Sequence, residues 1–576
     1  MKKIIIFCLG LFLIASCKKY LTEDAKSYLT SDAFYKTKTG YLGLINSAYS
    51  TLRNIYKVDP YMFEAGTDMT LDGRTPSSMP EGLFRYKDLS PVEDPTIGTE
   101  IKNLYTNCFS SIRTVNCGLF YNDTITTISV ADLNRYQGEL RALRAFDYFL
   151  LVQQFGGVPI VKEYTKGANL SYDRNTAAEV YDFIISEFKA AESLVPEATA
   201  GTLPTGRFNK RVIRHFLAKV YLTRGYETFA DVSDFNNAGS YADSAISSQK
   251  LTINFENLFY PGNEQNAEVL FAVQFDPSSI LDPKNSGNRQ NAFFGPYLGG
   301  EGATAGYPIR NFSLNPTLYA INLFTADDSR YDATFMTNVY GTFNSSGKYL
   351  GRYYDYYDQA ANRANLPIAY YYPPKWASSD SAIAAWKASD PVNRSSKYLT
   401  IFKYSGSWEP TTSSKDLSTI IVKKFDDPKS QFSQTGSSTR DIFLARLGET
   451  YLIAAEAYFK VGDAATAALR INEVRKRAAK SGKDLSITAS SIDMDFILDE
   501  RGRELLGEYH RWFDLKRTGT LKTRTKLFNR DIKALFDSGV DPFSGANGVD
   551  KILRPIPQSE IDANQSANFQ QNPAYN

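Results

Sequence analysis

Residues 61–86 contain a segment in which acidic, basic and aromatic side chains follow one another closely. Its chemically capable members are Asp68, Asp72, Arg74, Phe84 and Tyr86. A carboxylate or a guanidinium can bridge adjacent hydroxyl groups with charge-assisted hydrogen bonds, and an aromatic ring can stack on the apolar face of a sugar. The segment is therefore a candidate site for a polyhydroxylated ligand. Alternatively, Asp72 and Gly73 only form a turn, and Arg74 is only a surface charge.

A second group of candidate residues lies in an aromatic-rich stretch. Fifteen of the 38 tyrosines and three of the four tryptophans fall in the 112 residues from Tyr297 to Trp408. Tyr297, Trp376 and Trp386 are candidates for a wall that faces the first segment, because loops distant in sequence must converge to form a pocket. The tyrosine-rich runs at 353–357 and 370–372 place rings on both sides of an extended chain, so some of these rings are expected to face solvent or a ligand. The alternative is that these rings pack the loops onto the helices or contact another protein.

The histidines and a charged motif near the C-terminus favour structural roles. His215 and His510 lie in no HExxH or other metal-ligand spacing, and the chain has no GxSxG motif, phosphate-binding loop or CxxC pair. Dense opposite charges lie on one predicted helix and its turn: Glu500, Arg501, Arg503, Glu504, Arg511 and Asp514. We expect these groups to form ion pairs that support the fold rather than to catalyse a reaction. The sequence predicts no cofactor, no metal and no catalytic residue.

The first residues predict an exported, lipid-anchored protein. Lys2 and Lys3 precede an apolar run from Ile4 to Ile14, which is too short to span a membrane, and Ala15 and Ser16 precede Cys17. This ending resembles the bacterial lipobox, in which the cysteine is acylated and becomes the first mature residue. The alternative is a plain signal peptide followed by an incidental cysteine. No later stretch is a candidate for crossing a membrane.

The charge balance argues against a nucleic-acid-binding protein, and the cysteine positions argue against a disulfide bond. Loss of residues 1–16 removes two lysines and leaves 63 basic against 63 acidic residues, so the mature chain has no basic excess for binding nucleic acid. Cys108 and Cys117 lie nine residues apart on one predicted helix, about 13 Å at 1.5 Å per residue, which is beyond disulfide reach. We expect both to be buried thiols.

The positioning elements are predicted to be mainly helical. From Arg440 to Lys480 apolar residues recur at helical spacing, starting with Phe443 and Leu444, and Gly462-Asp463 separates two helices. The offsets in this hairpin are those of a tetratricopeptide unit, in which small residues let helices approach closely. Alanine recurs with an aromatic or aliphatic partner in the following pairs: Ala145 with Tyr148, Ala218 with Tyr221, Ala242 with Ile246, and Ala455 with Tyr458. The alternative is a generic amphipathic bundle.

Further helices and one strand are predicted around this repeat. Ser31-Asp32 precedes a helix that carries Ile45 and Leu52, Glu139 to Phe155 forms another that ends at Gly156-Gly157, and Asn175 or Thr176 opens a third. Residues 268–273 read as a β-strand. Helical periodicity fades between about 291 and 410.

Several segments together resemble the SusD/RagB family of outer-membrane nutrient-binding lipoproteins of the Bacteroidetes. They are Cys17–Leu21, Asp32–Tyr35, Ala48–Arg53, Glu139–Ala145, Phe155–Pro159, Arg446–Ile453, Ala455–Tyr458, Leu498–Leu505, His510–Arg517 and Pro555–Pro557. Each is a weak match alone, but their shared order extends over nearly the whole mature chain.

The resemblance implies a cell-surface lipoprotein with a tetratricopeptide-containing α fold and a site for a glycan or an oligopeptide. It also implies a SusC-like TonB-dependent transporter as partner, over which the lipoprotein closes as a hinged lid. It places a ligand-facing loop after the first long helix, near residues 61–86. It does not assign individual contact residues, because those of the family lie on variable loops.

We therefore expect a signal peptide (1–16), a lipidated tether (17–30) and one mainly α, SusD-like domain (31–576). That domain would comprise an N-terminal helical part (31–290), an aromatic-rich insertion (291–430) and a C-terminal hairpin with a closing segment (431–576). The expected function is the binding of an extracellular oligosaccharide and its delivery to the transporter without bond cleavage. A lipoprotein glycoside hydrolase and a peptide- or protein-binding tetratricopeptide scaffold are the alternatives.

Overall fold

A computed structural model describes most of the chain after the predicted tether. The described residues are 30–56, 60–73, 81–92, 99–201, 206–280, 286–294, 314–347, 349–351, 366–403, 420–427, 431–432 and 436–576. Within these ranges, no helix combines the length and the apolar character needed to cross a membrane.

Helices form most of the regular structure. In chain order the α-helices are α1 (Ser31–Tyr35), α2 (Lys38–Tyr56), α3 (Tyr61–Glu64), α4 (Glu81–Arg85), α5 (Glu100–Asn122), α6 (Val130–Phe155), α7 (Ala177–Leu194), α8 (Lys210–Arg224), α9 (Asp234–Ile246), α10 (Phe255–Leu258), α11 (Gln290–Phe293), α12 (Leu318–Asn322), α13 (Ser329–Thr334), α14 (Asp380–Ser389), α15 (Leu447–Lys460), α16 (Ala464–Ala478), α17 (Met494–Leu505), α18 (Arg511–Arg517), α19 (Leu521–Phe528), α20 (Arg530–Asp537) and α21 (Gln558–Ala563). Short 3-10 turns occur at Pro277–Ser279, Lys375–Ala377, Ala489–Ser491, Ala546–Gly548 and Pro573–Tyr575.

In the part of the chain that the structure describes, the strands are short and form four small sheets. They are β1 (Thr70–Asp72), β2 (Val269–Val273), β3 (Leu314–Pro316), β4 (Phe335–Met336), β5 (Asn338–Phe343), β6 (Tyr349–Gly351), β7 (Ile368–Tyr371), β8 (Thr400–Ile401), β9 (Ile421–Val422) and β10 (Ile442–Arg446). β1 pairs with β3, β2 with β10 and β4 with β9, all antiparallel. The fourth sheet has the order β6-β5-β7-β8, and only its β7–β8 pairing is parallel.

The long helices stack in sequence, as a tetratricopeptide-type superhelix requires. α6 packs on α5 and α7, α8 packs on α9, and α15 packs on α9 and α16. The predicted small residues at these contacts, Ala145, Ala218, Ala242 and Ala455, are all fully buried. A side chain of one methyl group lets two helix backbones approach closely, so these positions set the spacing of the stack. One hydrophobic cluster runs from Tyr41 to Phe569.

The C-terminal hairpin confirms one local prediction and corrects another. Gly462 takes a positive φ of 86° between α15 and α16, and the Asp463 carboxylate accepts a hydrogen bond of 3.0 Å from the backbone N–H of Thr466. Phe443 and Leu444, however, belong to strand β10 and not to the first helix, which begins at Leu447. Pairing with β2, a partner about 170 residues away, overrides the helical spacing of these side chains.

Other predicted elements form with shifted boundaries. The first predicted helix is split into α1 and α2, and the helix predicted to begin at Glu139 begins nine residues earlier. Thr176 and Glu179 form a reciprocal capping box at the start of α7, and Gly156 ends α6 with a φ of 73°. Cys108 and Cys117 are buried free thiols on α5, as predicted.

Buried ion pairs join the C-terminal helices to the rest of the fold, as the charged motif predicts. Arg446 donates to Glu504 and Glu508 at 2.6 Å, and Arg330 reaches Glu500 at 2.8 Å. Burial by itself would raise the pKa of Glu500, but the surrounding arginines outweigh it and lower that pKa to about 2. These carboxylates are therefore held ionised inside the protein, with most partners supplied by other elements.

In the described part of the aromatic-rich insertion, the tyrosines of strand β7 and the residue after it are packed inside the protein. Tyr370, Tyr371 and Tyr372 are all buried, so the expectation of rings that face solvent or a ligand is wrong for this run, whereas the run at 353–357 lies outside the described residues. The ring of Tyr372 stacks at 5.0 Å on Phe402, whereas Tyr371 points the other way onto Trp386 of α14. Side chains of β7 point alternately to its two faces, and other elements cover both faces, so rings on either side can be buried.

Candidate functional site

Asp68, the first of the predicted site residues, lies inside the protein. It is fully buried, and its two carboxylate oxygens accept hydrogen bonds of 2.7 and 2.6 Å from Arg511. Arg524 donates to the same carboxylate at 2.9 Å. Burial would raise the pKa of Asp68, but the two guanidinium groups outweigh it and lower the pKa. Asp68 is thus an ion-pair centre with no face for a ligand, which corrects the prediction.

Phe84 and Tyr86 are also core residues. Phe84 packs edge-on against Tyr61 with the ring centres 5.7 Å apart. The Tyr86 hydroxyl donates to the carbonyl oxygen of Gly66 at 2.8 Å and accepts from the indole N–H of Trp512 at 3.2 Å. Its ring stacks on Phe543 at 4.2 Å. Neither ring offers a face to a sugar, because the interior of the protein already covers both.

Two described segments, one ending after Asp72 and one ending at Phe294, both pair with Leu314. Asp72, also buried, is opposite Leu314 in the β1–β3 ladder, and Phe294 forms a parallel bridge to the same residue. Two of the candidates, Arg74 and Tyr297, lie outside the described residues, as does Cys17. The last described residues before the two candidates are Gly73 and Phe294. The described parts of these segments thus come together at Leu314.

Trp376 is connected to strand β3 through helix α12. It lies in the 3-10 turn Lys375–Ala377, and the Lys375 ammonium donates to the carbonyl oxygen of Asn322 at the end of α12 at 2.8 Å. α12 follows directly after β3. The Trp376 ring is half-buried and packs edge-on against Tyr331 at 4.8 Å. Part of its surface therefore stays open to a ligand.

Trp386 is less suited to stacking on a ligand. The ring of Tyr371 is parallel to it, with a centre-to-centre distance of 3.7 Å and an angle of 2°. The guanidinium carbon of Arg394 lies 4.6 Å from the centre of the Trp386 ring. A ring and a guanidinium cannot share one face at these distances, so they cover opposite faces. Trp386 presents its edge to solvent.

The two histidines are part of a buried polar cluster. The Nδ1 atom of His215 lies 2.8 Å from the Thr450 hydroxyl, and its Nε2 atom lies 3.3 Å from the Glu449 carboxylate. The Nδ1 atom of His510 lies 3.0 Å from the Lys219 ammonium. Burial lowers the pKa of His510 to about 3, so its imidazole is neutral at physiological pH. Among the described residues, no group of three His, Cys, Asp or Glu side chains is placed to hold a metal ion.

An open cleft of about 310 Å³ lies along α5, between the 156–176 loop and the C-terminal segment, and we name it the α5 cleft. Its aromatic lining consists of Tyr105, Phe109, Tyr172 and Phe569. Its polar lining consists of Arg113, Asn116, Glu163, Thr165, Asn169, Glu560 and Asn564. Tyr105 and Phe109 are one helical turn apart, with ring centres separated by 4.9 Å. The cleft thus combines aromatic rings with side chains that can form hydrogen bonds to hydroxyl groups.

Side-chain amides hold the walls of the α5 cleft in place. Asn564 accepts a hydrogen bond from the backbone N–H of Tyr172 at 3.1 Å and donates to its carbonyl oxygen at 3.0 Å. Asn116 donates to the carbonyl oxygen of Val161 at 2.9 Å. Arg174 donates to the carbonyl oxygens of Phe155 and Gly157 at 3.0 and 2.6 Å. These contacts hold the 156–176 loop in one conformation, although it contains no helix or strand.

Sequence reasoning missed the α5 cleft because three separate segments build it. The signals were indirect. Twenty-one residues, 156–176, separate α6 from α7 without regular structure. A loop of that length inside a compact fold is uncommon and is usually functional or disordered. The present loop is fixed by hydrogen bonds.

Comparison with known proteins identifies the relationship of the chain. A family model described as "SusD family" matches residues 267–575, and one described as "Starch-binding associating with outer membrane" matches residues 30–222. The chain belongs to the SusD/RagB family. The two matched regions are separated by residues 223–266, and together they include both the N-terminal helices and the C-terminal hairpin.

Curated relatives of this SusD-family chain match most of its length. It is 25% identical over 472 residues to the starch-binding protein SusD of Bacteroides thetaiotaomicron, covering 79% of this chain and 76% of the relative. It is 25% identical over 461 residues to a SusD-like protein of Bacteroides ovatus, covering 76% and 71% of the two chains.

Solved structures confirm the SusD-like, tetratricopeptide-containing α fold. A laminarin-binding SusD-like protein aligns with a TM-score of 0.64 at 19% identity and covers 94% of this chain and 100% of its own. Surface glycan-binding protein A of Bacteroides fluxus aligns with a TM-score of 0.63 at 17% identity, covering 94% and 100%. At these identities the likeness concerns the fold.

Proposed function

We propose that this SusD-family protein binds an extracellular oligosaccharide without cleaving it. Family membership supports the proposal, since the curated relatives include a starch-binding protein. The observation in the structure that carries it is the α5 cleft, with four aromatic rings and a polar rim around about 310 Å³. That volume suits one or two sugar rings.

The chemistry of the cleft matches that of a pyranose. A sugar ring has apolar C–H faces, which pack on aromatic rings, and a rim of hydroxyl groups, which pair with amide, carboxylate and guanidinium groups. Tyr172 and Phe109 are half-buried, so each retains open surface within the cleft. Asn169 and Arg113 are exposed at its rim and can donate to hydroxyl oxygens.

Trp376 marks a second location for the same ligand class, the one expected from the sequence. Its half-buried ring lies in a segment linked to α12, which follows β3, where Leu314 meets both Asp72 and Phe294. The sequence offers three further candidates for a ligand-facing surface beside Trp376: Arg74, Tyr297 and the edge of Trp386.

The test uses the mature chain with Cys17→Ala, which removes the proposed acylation site. A glycan-array screen first identifies a bound oligosaccharide, and calorimetry then compares variants on it. Tyr172→Ala or Phe109→Ala should weaken binding by about 1–3 kcal/mol, the typical cost of losing an aromatic stacking partner. Tyr260→Ala is the matched control, because Tyr260 is a surface tyrosine, 44% exposed, that does not line the cleft.

The variants also decide between the two locations. If Trp376→Ala weakens binding and the α5 variants do not, the ligand lies at the Trp376 wall. If no glycan binds in a broad screen while a partner protein binds tightly, the oligosaccharide proposal fails in favour of a tetratricopeptide scaffold.

We further propose that the protein is held at the outer membrane by an acylated Cys17, facing the cell exterior, and delivers its ligand to a SusC-like TonB-dependent transporter. The family description that includes association with the outer membrane supports this location. The test is purification of the lipoprotein from mildly solubilised outer membranes. A β-barrel transporter should co-purify in stoichiometric amount, and its absence would count against the partnership.

A glycoside hydrolase is the second candidate, because two carboxylic acids, Glu163 and Glu560, line the α5 cleft. Hydrolysis of a glycosidic bond uses such a pair. Purified protein would then release reducing ends from a glycan that it binds, and Glu163→Gln with Glu560→Gln would abolish that release. Binding without release supports the transport role.

A further inference from the structure

One face of helix α5 continues beyond the α5 cleft towards the end of the helix. Phe109, Arg113 and Asn116 line the cleft, and Phe120 follows in the last turn of α5. These four positions are separated by steps of four, three and four residues, so they lie on the same side of a helix with 3.6 residues per turn. Phe120 is 40% exposed, so part of its ring surface is open to a ligand. It lies about 16 Å beyond Phe109 at 1.5 Å per residue.

The 156–176 loop brings a second ring to Phe120. The ring centre of Tyr164, which is half-buried, lies 5.7 Å from that of Phe120. Glu163 and Thr165, the residues on either side of Tyr164, both line the α5 cleft. The rings of Phe120 and Tyr164 are therefore continuous with the cleft on both the helix side and the loop side, and we name this pair the outer platform.

A buried tyrosine supports the outer platform. The Tyr121 ring is perpendicular to that of Phe120, with ring centres 5.1 Å apart, and lies 6.5 Å from Tyr164. Its hydroxyl donates to the Asp32 carboxylate at 3.1 Å, which fixes the orientation of the tyrosine. The two outer rings are thus held in place before a ligand arrives, and binding to them requires little further ordering.

Lys166 is the polar neighbour of the outer platform. Its ammonium group lies 5.1 Å from the centre of the Phe120 ring and 3.6 Å from the Asp32 carboxylate. The lysine side chain is 62% exposed, so both contacts are made in water and are weak. A ligand can take the place of the ammonium on the ring, and the displaced ammonium can donate hydrogen bonds to ligand hydroxyl groups.

Two sets of rings about 16 Å apart, joined by one polar rim, fit a linear chain better than a single sugar. A chain that reaches both sets gains a second contact without a second loss of translational freedom, which favours long ligands over short ones. We propose that the outer platform is a second stacking subsite of the α5 cleft, and that the protein selects long linear oligosaccharides over disaccharides. The proposal rests on the proposed function for the ligand being a glycan, and adds the length class of that glycan.

The experiment compares short and long probes of the same linkage on the mature Cys17→Ala chain by calorimetry. The pairs are maltose with maltohexaose, laminaribiose with laminarihexaose, and cellobiose with cellohexaose. We expect at least one hexasaccharide to bind at least about tenfold more tightly than its own disaccharide, because only the longer chain reaches the outer platform. Equal affinities within every pair, or no binding of any hexasaccharide, would overturn the proposal.

Phe120→Leu keeps an apolar side chain but removes the flat ring. It should lower the affinity for the hexasaccharide at least about fivefold and leave that for the disaccharide unchanged, whereas Phe120→Tyr should preserve both. Tyr260→Ala, an exposed aromatic away from the cleft, is the matched control and should bind both probes like the parent. An unaffected Phe120→Leu variant would overturn the proposal. If that variant instead fails to co-purify the transporter, the outer platform is a protein contact.

These outcomes are separable from those of the proposed function. Phe109→Ala and Tyr172→Ala lie in the α5 cleft itself and should weaken the disaccharide and the hexasaccharide alike. If they do so while Phe120→Leu has no effect, only the present proposal fails. If neither cleft variant changes the binding of either probe, the ligand does not occupy the α5 cleft, and the outer platform cannot be its second subsite.

Discussion

The indole Nε1 of Trp512 donates a hydrogen bond of 3.2 Å to the hydroxyl of Tyr86, a residue 426 positions earlier in the chain. The same hydroxyl donates to Gly66, and the Tyr86 ring stacks on Phe543. The backbone of Tyr86 takes a positive φ of 62°, which is unfavourable for a residue with a Cβ atom. The contacts with Gly66, Trp512 and Phe543 hold Tyr86 in this conformation. They also connect the N-terminal part of the chain to its C-terminal part.

Tyr86→Phe should therefore affect stability and not ligand binding. The substitution removes the donor to Gly66 and the acceptor for Trp512, both buried, while it retains the stack on Phe543. We expect the free energy of unfolding to fall by about 1–3 kcal/mol, as for buried groups left without partners. Urea unfolding measures the change, with Tyr260→Phe as the surface control. An unchanged free energy of unfolding together with weaker glycan binding would contradict the burial of Tyr86.

Asp68→Asn tests the buried ion-pair centre. The amide leaves Arg511 and Arg524 without the charge that both now share, so we expect a loss of about 3–5 kcal/mol in the free energy of unfolding. Asp182→Asn is the matched control, because the Asp182 carboxylate pairs with Arg224 at 2.8 Å but is 73% exposed. That variant should lose less than about 1 kcal/mol. Equal losses in the two variants would argue against a structural role for Asp68.

Glu64→Gln tests a pH dependence. Burial raises the pKa of Glu64 from 4.5 to about 8, against the lowering effect of its hydrogen bond from the backbone N–H of Tyr509. Between these pH values the folded chain keeps a proton that the unfolded chain loses. The stability that this group contributes is present in full below pH 4.5 and is lost as the pH rises towards 8.

Glutamine cannot ionise, and its side-chain oxygen can still accept the Tyr509 bond. The difference in the free energy of unfolding, variant minus parent, should therefore grow as the pH rises from 5 to 8, by up to about 1.4 kcal/mol per pH unit. Denaturant unfolding at several pH values measures it. A difference that stays constant over this range would show that Glu64 does not titrate there.

Local patterns predicted the helical part of the fold because their physical causes are local. The Gly462-Asp463 turn and the Thr176–Glu179 capping box are determined by residues within a few positions of each other. Strand β10 was missed because its partner β2 is distant in sequence and because Phe443 and Leu444 fit either period. The aromatic layer around Tyr371 was misjudged for a similar reason, since α14 supplies its cover.

The candidate site was harder to predict because ligand binding and ion pairing use the same residue types. Asp68 could bind hydroxyl groups by its chemistry, but Arg511, 443 positions later, takes that role. Nothing near Asp68 in sequence signals this partner. The α5 cleft was missed since Tyr105, Tyr172 and Phe569 come together only after folding. The charged motif around Glu500 was interpreted correctly because its density of opposite charges is itself local.

Cys17→Ala should abolish membrane attachment while it leaves the fold intact. Acylation requires the thiol, and Cys17 precedes residue 30, where the described part of the chain begins. Cell fractionation of a strain without the transporter measures the change, and circular dichroism checks the fold. A variant that still fractionates with the outer membrane under these conditions would disprove the lipid anchor.

Ala455→Trp tests the register of the helical stack. Ala455 is fully buried on α15, which packs against both α9 and α16, so an indole at this position has no space. We expect a loss of about 1–3 kcal/mol or more in the free energy of unfolding, because overpacking forces neighbouring side chains and helices apart. Leu469→Trp on α16 is the matched control, since Leu469 is 66% exposed and can accept a larger ring without a clash. Thermal unfolding measures both variants. Equal melting temperatures for the parent and Ala455→Trp would mean that α15 presents a different face to its neighbours, and the tetratricopeptide register would then have to be reassigned.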